Sequence, residues 1–185
     1  MVFGLTKNIS IGCKDSIGGL DKIYLFKHIN YSRSQIVLND NILVTYPSTI
    51  IYEFEVNNQP SVNQTNQENE GGKFYDLSIN FDLSKELGKD FSYMLGFDFN
   101  IIIKDRNGNF RFLGNQNGLT CNDVKYTTGG SKNSLNGVSL SFSGQEEKEA
   151  YYINDLTNSG FEIASYLLQE NGFNLLQENG FKIIL

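Results

Sequence analysis

Between residues 74 and 83 the chain alternates without a break. Tyr75, Leu77, Ile79, Phe81 and Leu83 fall on one face, and Asp76, Ser78, Asn80 and Asp82 on the other. Successive side chains of a strand point to opposite faces. This segment therefore reads as a strand with one face in a core and one in water, the pattern of an antiparallel sheet.

The composition agrees. Of 185 residues, 39% are hydrophobic and 13% aromatic, all Phe or Tyr, which is enough for a real core and suits strands. With 18 Gly and only 2 Pro, the remainder reads as turns between short strands. The length fits one domain, or a domain plus an appendage. The expected fold class is mainly β.

Further strands are expected at 22–29, 34–38 and 42–46, after a turn at Gly18-Gly19, and at 49–56, where Tyr52, Phe54 and Val56 oppose Ile51, Glu53 and Glu55. Residues 57–72 (NNQPSVNQTNQENEGG) are almost devoid of apolar side chains and are expected to form a long polar loop. A helix is expected from about 84 to 95. Ser84 caps it, Glu86 suits its positive end, Leu87 and Phe91 recur at helical spacing, and Gly96 stops it. Strands at 97–104 and 109–113 flank Asp105-Arg106-Asn107-Gly108, a hairpin turn, and 119–126 and 135–143 complete the set.

The C-terminus repeats itself: LLQENGF occurs at 167–173 and again at 175–181. Each Asn-Gly lies between short apolar runs, which predicts a small β-hairpin or meander. A helix over 161–170 is the alternative. The division expected is a main domain over 1–157 and an appendage over 158–185, docked through Phe161, Leu167, Phe173, Leu175 and Phe181.

Little here suggests catalysis. The one histidine, His28, lies in a strand-like segment, and a Ser-His-Asp or Cys-His site would have to use it. There is no phosphate-binding GxxxxGK[ST] loop. DRNGN at 105–109 lacks the spacing of a calcium loop. Cys13 and Cys121 show no metal or redox spacing and read as inert thiols. TTGGSKNS (127–134) reads as a hairpin loop, and the acidic run Glu146, Glu147, Glu149 as a solvated segment. No enzyme, cofactor or metal role is expected. The N-terminus has no cationic start followed by an apolar run, and no apolar stretch approaches the length of a membrane span. Net charge is -6, so general affinity for nucleic acid is not expected.

Residues 71–153 carry a recognisable order: GGKFYDLSINFDLSKEL, then IIIKDRNGNFRFLGNQNGLT, then TTGG, NGVSLSF, and an acidic run before the pair Tyr151-Tyr152. This order resembles tail-tube and tail-tube-like ring proteins of bacteriophages, in particular phages of Bacteroidetes. The opening GCKDSIGGLDKIYLF and the LLQENGF ending are similar to segments of virion proteins from the same group. Turn and strand residues carry the resemblance.

The resemblance implies a β-sandwich or split-barrel subunit with one packed helix, found in the virion tail or neck after assembly in the host cytoplasm. Copies of itself, a hexamer favoured, would close a ring. DNA would pass through during ejection without specific binding, neighbouring tail or neck proteins would be the other partners, and no membrane would be involved. On that expectation Glu53, Glu55, Asp76 and Asp82 line the lumen as an acidic wall. The loop marked by Asn57, Gln64, Glu68 and Gly72 stacks one ring on the next. The alternative is a β-sandwich binding module on a phage fibre or host-attachment device, whose mark would be exposed aromatic platforms.

Overall fold

A computed structural model describes residues 18–69, 72–84, 91–130 and 135–164. The chain is mainly β. Its strands are β1 (Leu20–Lys27), β2 (Val37–Asn39), β3 (Ile42–Thr45), β4 (Thr49–Glu55), β5 (Asn57–Asn69), β6 (Gly72–Ser84), β7 (Asp98–Asp105), β8 (Phe110–Leu113), β9 (Leu119–Thr127), β10 (Gly137–Glu146), β11 (Tyr151–Ile153) and β12 (Phe161–Ile163).

They form two rows. The first runs β2-β3-β11-β8-β7-β1-β4-β12 and the second β9-β10-β6-β5. Pairing is antiparallel except for β11 with β3 and β12 with β4. The first residues of β9 pair with the start of β7 (Asp98 with Thr120, Phe99 with Leu119), which stitches the rows together.

The first row cannot be flat. Between β3 and β4 it holds β11, β8, β7 and β1, a span of about 24 Å at the usual strand spacing. Yet only Tyr46, Pro47 and Ser48 join β3 to β4, a reach of at most about 14 Å. The row curls on itself. The residues before β12 close the seam: the N–H of Tyr46 donates to the Ser159 carbonyl (2.8 Å) and that of Thr49 to the Gly160 carbonyl (3.0 Å).

The curl creates two cores. Tyr24, Phe26, Leu43, Tyr46, Ile51, Ile102, Phe112, Tyr151, Ile153, Leu156 and Phe161 fill its inside. Phe161 stacks on Tyr46 with ring centroids 5.0 Å apart. The outer side of the curl packs against the second row. There Ile23, Leu25, Ile101, Ile103 and Leu113 meet Leu77, Ile79, Phe81, Leu83, Val138, Leu140 and Phe142. Strands β1 and β7 lie between the two cores, so Ile23–Phe26 and Asn100–Ile103 are buried on both faces. That is why Ile23–Phe26 and Ile101–Ile103 are continuous apolar runs rather than alternating ones.

Three expectations are corrected. Residues 57–72 are not a loop: β5 is a strand of 13 residues, paired with β6 from Asn57–Asp82 to Asn69–Gly72. Its ladder is made by the backbone, so it needs few apolar side chains. Among its residues with described side chains, Val62 is the hydrophobic one that packs on the core. Pro60 sits in the register shift between Asn57 and Ser61, a place where a missing N–H is tolerated.

The predicted helix is not seen. Residues 85–90 of its span lie outside the described residues, and beyond them the chain makes a single 3-10 turn, Ser92–Met94. The sheet takes the chain back at once. Gly96 N–H donates to the Cys121 carbonyl (2.9 Å), and Cys121 N–H to the Phe97 carbonyl (3.0 Å). Likewise Ser34 and Gln35, expected to begin a strand, belong to a 3-10 turn, Arg33–Gln35, in which the Gln35 side chain accepts the Ser32 N–H at 3.0 Å.

Of the appendage expected from residue 158 onward, Phe161 lies in the inner core at 1% exposure and β12 pairs with β4. Leu167, Phe173, Leu175 and Phe181, with Cys13 and the repeat itself, lie outside the described residues. The hairpin at 105–108 forms as expected, with positive φ at Gly108 only.

Candidate functional site

The surface that stands out is the outer face of the second row. On β6 the residues facing away from the core are Asp76, Ser78, Asn80 and Asp82. Opposite them on β10 stand Gln145, Ser143, Ser141 and Ser139, and on β5 Thr65, Asn63 and Ser61. Beyond β10, Asp123 and Lys125 of β9 continue the face beside Ser141 and Ser139. Short hydroxyls, amides and carboxylates thus pave a four-stranded surface.

Its polar groups are tied across strands. Ser139 Oγ donates to Asp82 Oδ1 at 2.6 Å, Gln145 Nε2 to Asp76 Oδ1 at 2.8 Å, and Asn122 Nδ2 to Ser143 Oγ at 2.6 Å. The carboxylates Asp76, Asp82 and Asp123 outnumber Lys125, so the face is acidic.

The row ends on two edges. β5 has β6 on one side and no strand on the other among the described residues. β9 has β10 on one side, while its pairing with β7 stops at Thr120. Gln64 points inward instead, its Oε1 accepting the Ala150 N–H (3.2 Å) and an Arg111 guanidinium N–H (3.3 Å). Glu68 and Lys73 face each other at 3.9 Å near the tip of the ribbon, both exposed.

Asp76 and Asp82 therefore share one face, as the sequence suggested. Glu53 and Glu55 do not join them. They alternate with Phe54, which packs on the inter-row core, so they lie on the far side of the first row, on the side of Ile51. There Glu53 accepts Lys22 Nζ at 2.7 Å.

A second arrangement was missed by sequence. Glu146 is buried at 4% exposure, not solvated, and its carboxylate accepts the N–H groups of Gln116 (3.0 Å) and Asn117 (2.9 Å). Burial pushes its pKa up, opposed by the backbone N–H groups of Asn117, Gln116 and Gly118. Residues 114–118 carry the chain from β8 in the first row to β9 in the second, bounded by Gly114 and Gly118, both at positive φ. From the other side the buried Asn100 donates its Nδ2 to the Gly114 carbonyl and meets His28 Nδ1 through its Oδ1 at 2.9 Å. His28 and Glu146 thus hold a corner. The signal for it was the spacing of the two glycines in LGNQNG, together with one carboxylate ending a strand.

Cys121 is a buried free thiol whose pKa burial pushes up. Among the described residues no group of His, Cys, Asp or Glu is placed to hold a metal ion, and no helix is long and apolar enough to cross a membrane. Comparison with protein-family models, curated proteins and solved structures gave no match.

Proposed function

We propose that the chain is a structural subunit of a ring or tube in a phage tail or neck, through which DNA passes during ejection. The second row β9-β10-β6-β5 faces the lumen. The observation that carries this reading is β5, a 13-residue strand whose outer edge has no strand beside it among the described residues. Such an edge is a template for pairing with another chain, and proteins usually shorten, charge or cover it. β5 is long and carries a charge only at Glu68, near its end.

The β9 edge lies at the opposite end of the same row. Pairing β5 of one copy with β9 of the next is a head-to-tail contact, and such contacts close into rings when the rotation allows. Six copies supply about 24 strands, which enclose a circle about 37 Å across at the usual spacing. Copies of itself, six favoured, are the first partners and neighbouring tail or neck proteins the next. DNA slides past without specific binding, since Asp76, Asp82 and Asp123 repel phosphates. Glu53 and Glu55 have no part in this wall.

Adjacent edge residues point their N–H groups alternately inward and outward. One of the two variants Thr65→Pro and Asn66→Pro therefore removes an outward donor and leaves the β5–β6 ladder intact. Analytical ultracentrifugation of that folded variant should show monomers where the wild type forms closed oligomers. Oligomers of unchanged size in both variants would refute pairing through β5.

A further inference from the structure

Beside β4 and the 3-10 turn at Ser92–Met94 lies an aromatic hollow of about 710 Å³. Tyr52, Phe54, Phe91, Met94, Phe97 and Ala164 line it, together with Lys27 and with Glu53, whose carboxylate is already paired with Lys22 at 2.7 Å. Its rim is unusually apolar for a surface: Phe97 is 55% exposed and Leu95 nearby 51%. Contiguous apolar surface of this kind marks a place where something docks.

The chain itself arrives there. Ala164 is part of the wall, held by its N–H on the Ile51 carbonyl at 2.8 Å. Residues 165–185 start from that point. Leu167 and Leu168 come within about 10–14 Å of Ala164 along the chain, so they reach the hollow without a linker. A tether this short gives an effective concentration in the millimolar range. Chemistry also matches. The segment offers Leu, Phe, Ile and Tyr side chains, and its carboxylates Glu170 and Glu178 outnumber Lys182. Lys27 stands over the Phe97 ring at 6.0 Å and makes no ion pair among the described residues.

We propose that the aromatic hollow is the seat of the chain's own residues 165–185, with the first LLQENGF unit supplying the apolar contacts. The inference does not depend on ring formation.

Hydroxyl-radical labelling of the full-length protein tests it. Tyr52 should be modified several-fold more slowly than Tyr152, a residue of nearly equal exposure in the described fold (42% against 45%). In full-length Leu167→Asp/Leu168→Asp protein the two rates should converge. Phe97 replaced by a photo-crosslinking benzoylphenylalanine should form a bond within the same chain, to a peptide from 165–185, at monomer mass. Equal rates in the wild type would overturn the proposal, as would protection that survives the double substitution. So would crosslinks only at dimer mass, which would give the seat to a second copy.

Discussion

The Glu146 carboxylate accepts the Asn117 N–H at 2.9 Å, across 29 residues of sequence. That contact pins the corner where the chain leaves one strand row for the other. Removing the side chain leaves the part-buried N–H groups of Gln116 and Asn117 without their acceptor. Glu146→Ala should therefore lower stability by about 2–4 kcal/mol in urea unfolding, and Glu146→Gln by less, since its amide oxygen still accepts.

The same residue gives a pH dependence with a defined sign. Its folded-state pKa is raised above the ordinary 4.5 by burial, so the folded chain holds the proton more tightly than the unfolded chain. The resulting stabilisation is complete below the unfolded pKa and is lost as pH rises through the folded value. The stability of the wild type minus that of Glu146→Gln, measured by urea unfolding from pH 4 upward, should fall with rising pH. A rising difference would mean that the backbone donors outweigh burial.

Gly160 closes the seam of the curled row at φ +98°, and a Cβ there would overlap the Tyr46 carbonyl oxygen. Gly160→Ala should cost about 2–4 kcal/mol, combining left-handed strain with the clash. Gly130→Ala, with nothing among the described residues within 4 Å of the added atom, should be close to neutral in the same thermal melts.

The polar wall makes a charge prediction. Asp76→Lys/Asp82→Lys should leave the fold in place at a cost of about 1–3 kcal/mol, because each half-buried carboxylate gives up one cross-strand hydrogen bond, from Gln145 and from Ser139. Assembled particles carrying it should retain DNA in a salt-dependent way, while Glu53→Lys/Glu55→Lys should not. Retention by the Glu53/Glu55 variant alone would place the wrong face in the lumen.

Much of the fold was legible because alternation is a direct image of burial. Leu77, Ile79, Phe81 and Leu83, with Val138, Leu140 and Phe142, face the inter-row core as their pattern requires. The length of β5 was not legible. Its side chains are Asn, Gln, Ser and Thr, and a ladder held by backbone bonds leaves no apolar trace. Its turn did leave one: Asn69 pairs with Gly72 at positive φ, with Gly71 before it, between two strands of equal length. Ser84–Leu95 failed as a helix at its described end because helical spacing is a local property, whereas Gly96 and Phe97 are claimed by the distant Cys121 backbone. Of the site, Asp76 and Asp82 could be read from β6 alone. The separation of Glu53 and Glu55 from them is a matter of topology, since both pairs are simply polar positions of alternating strands. Glu146 was hidden by its neighbours: an acidic run reads as solvated, and only its N–H partners on 114–118 show otherwise.

The central claim is that copies of this chain pair β5 to β9 and close around a channel. Electron cryo-microscopy of the purified full-length protein at increasing concentration tests it most directly. The account predicts closed rings or stacked tubes with Asp76, Asp82 and the Ser139–Ser143 face on the inner wall, and β5 against β9 at every subunit boundary. Particles that remain single subunits at the highest concentration, or rings with that face turned outward, would contradict it.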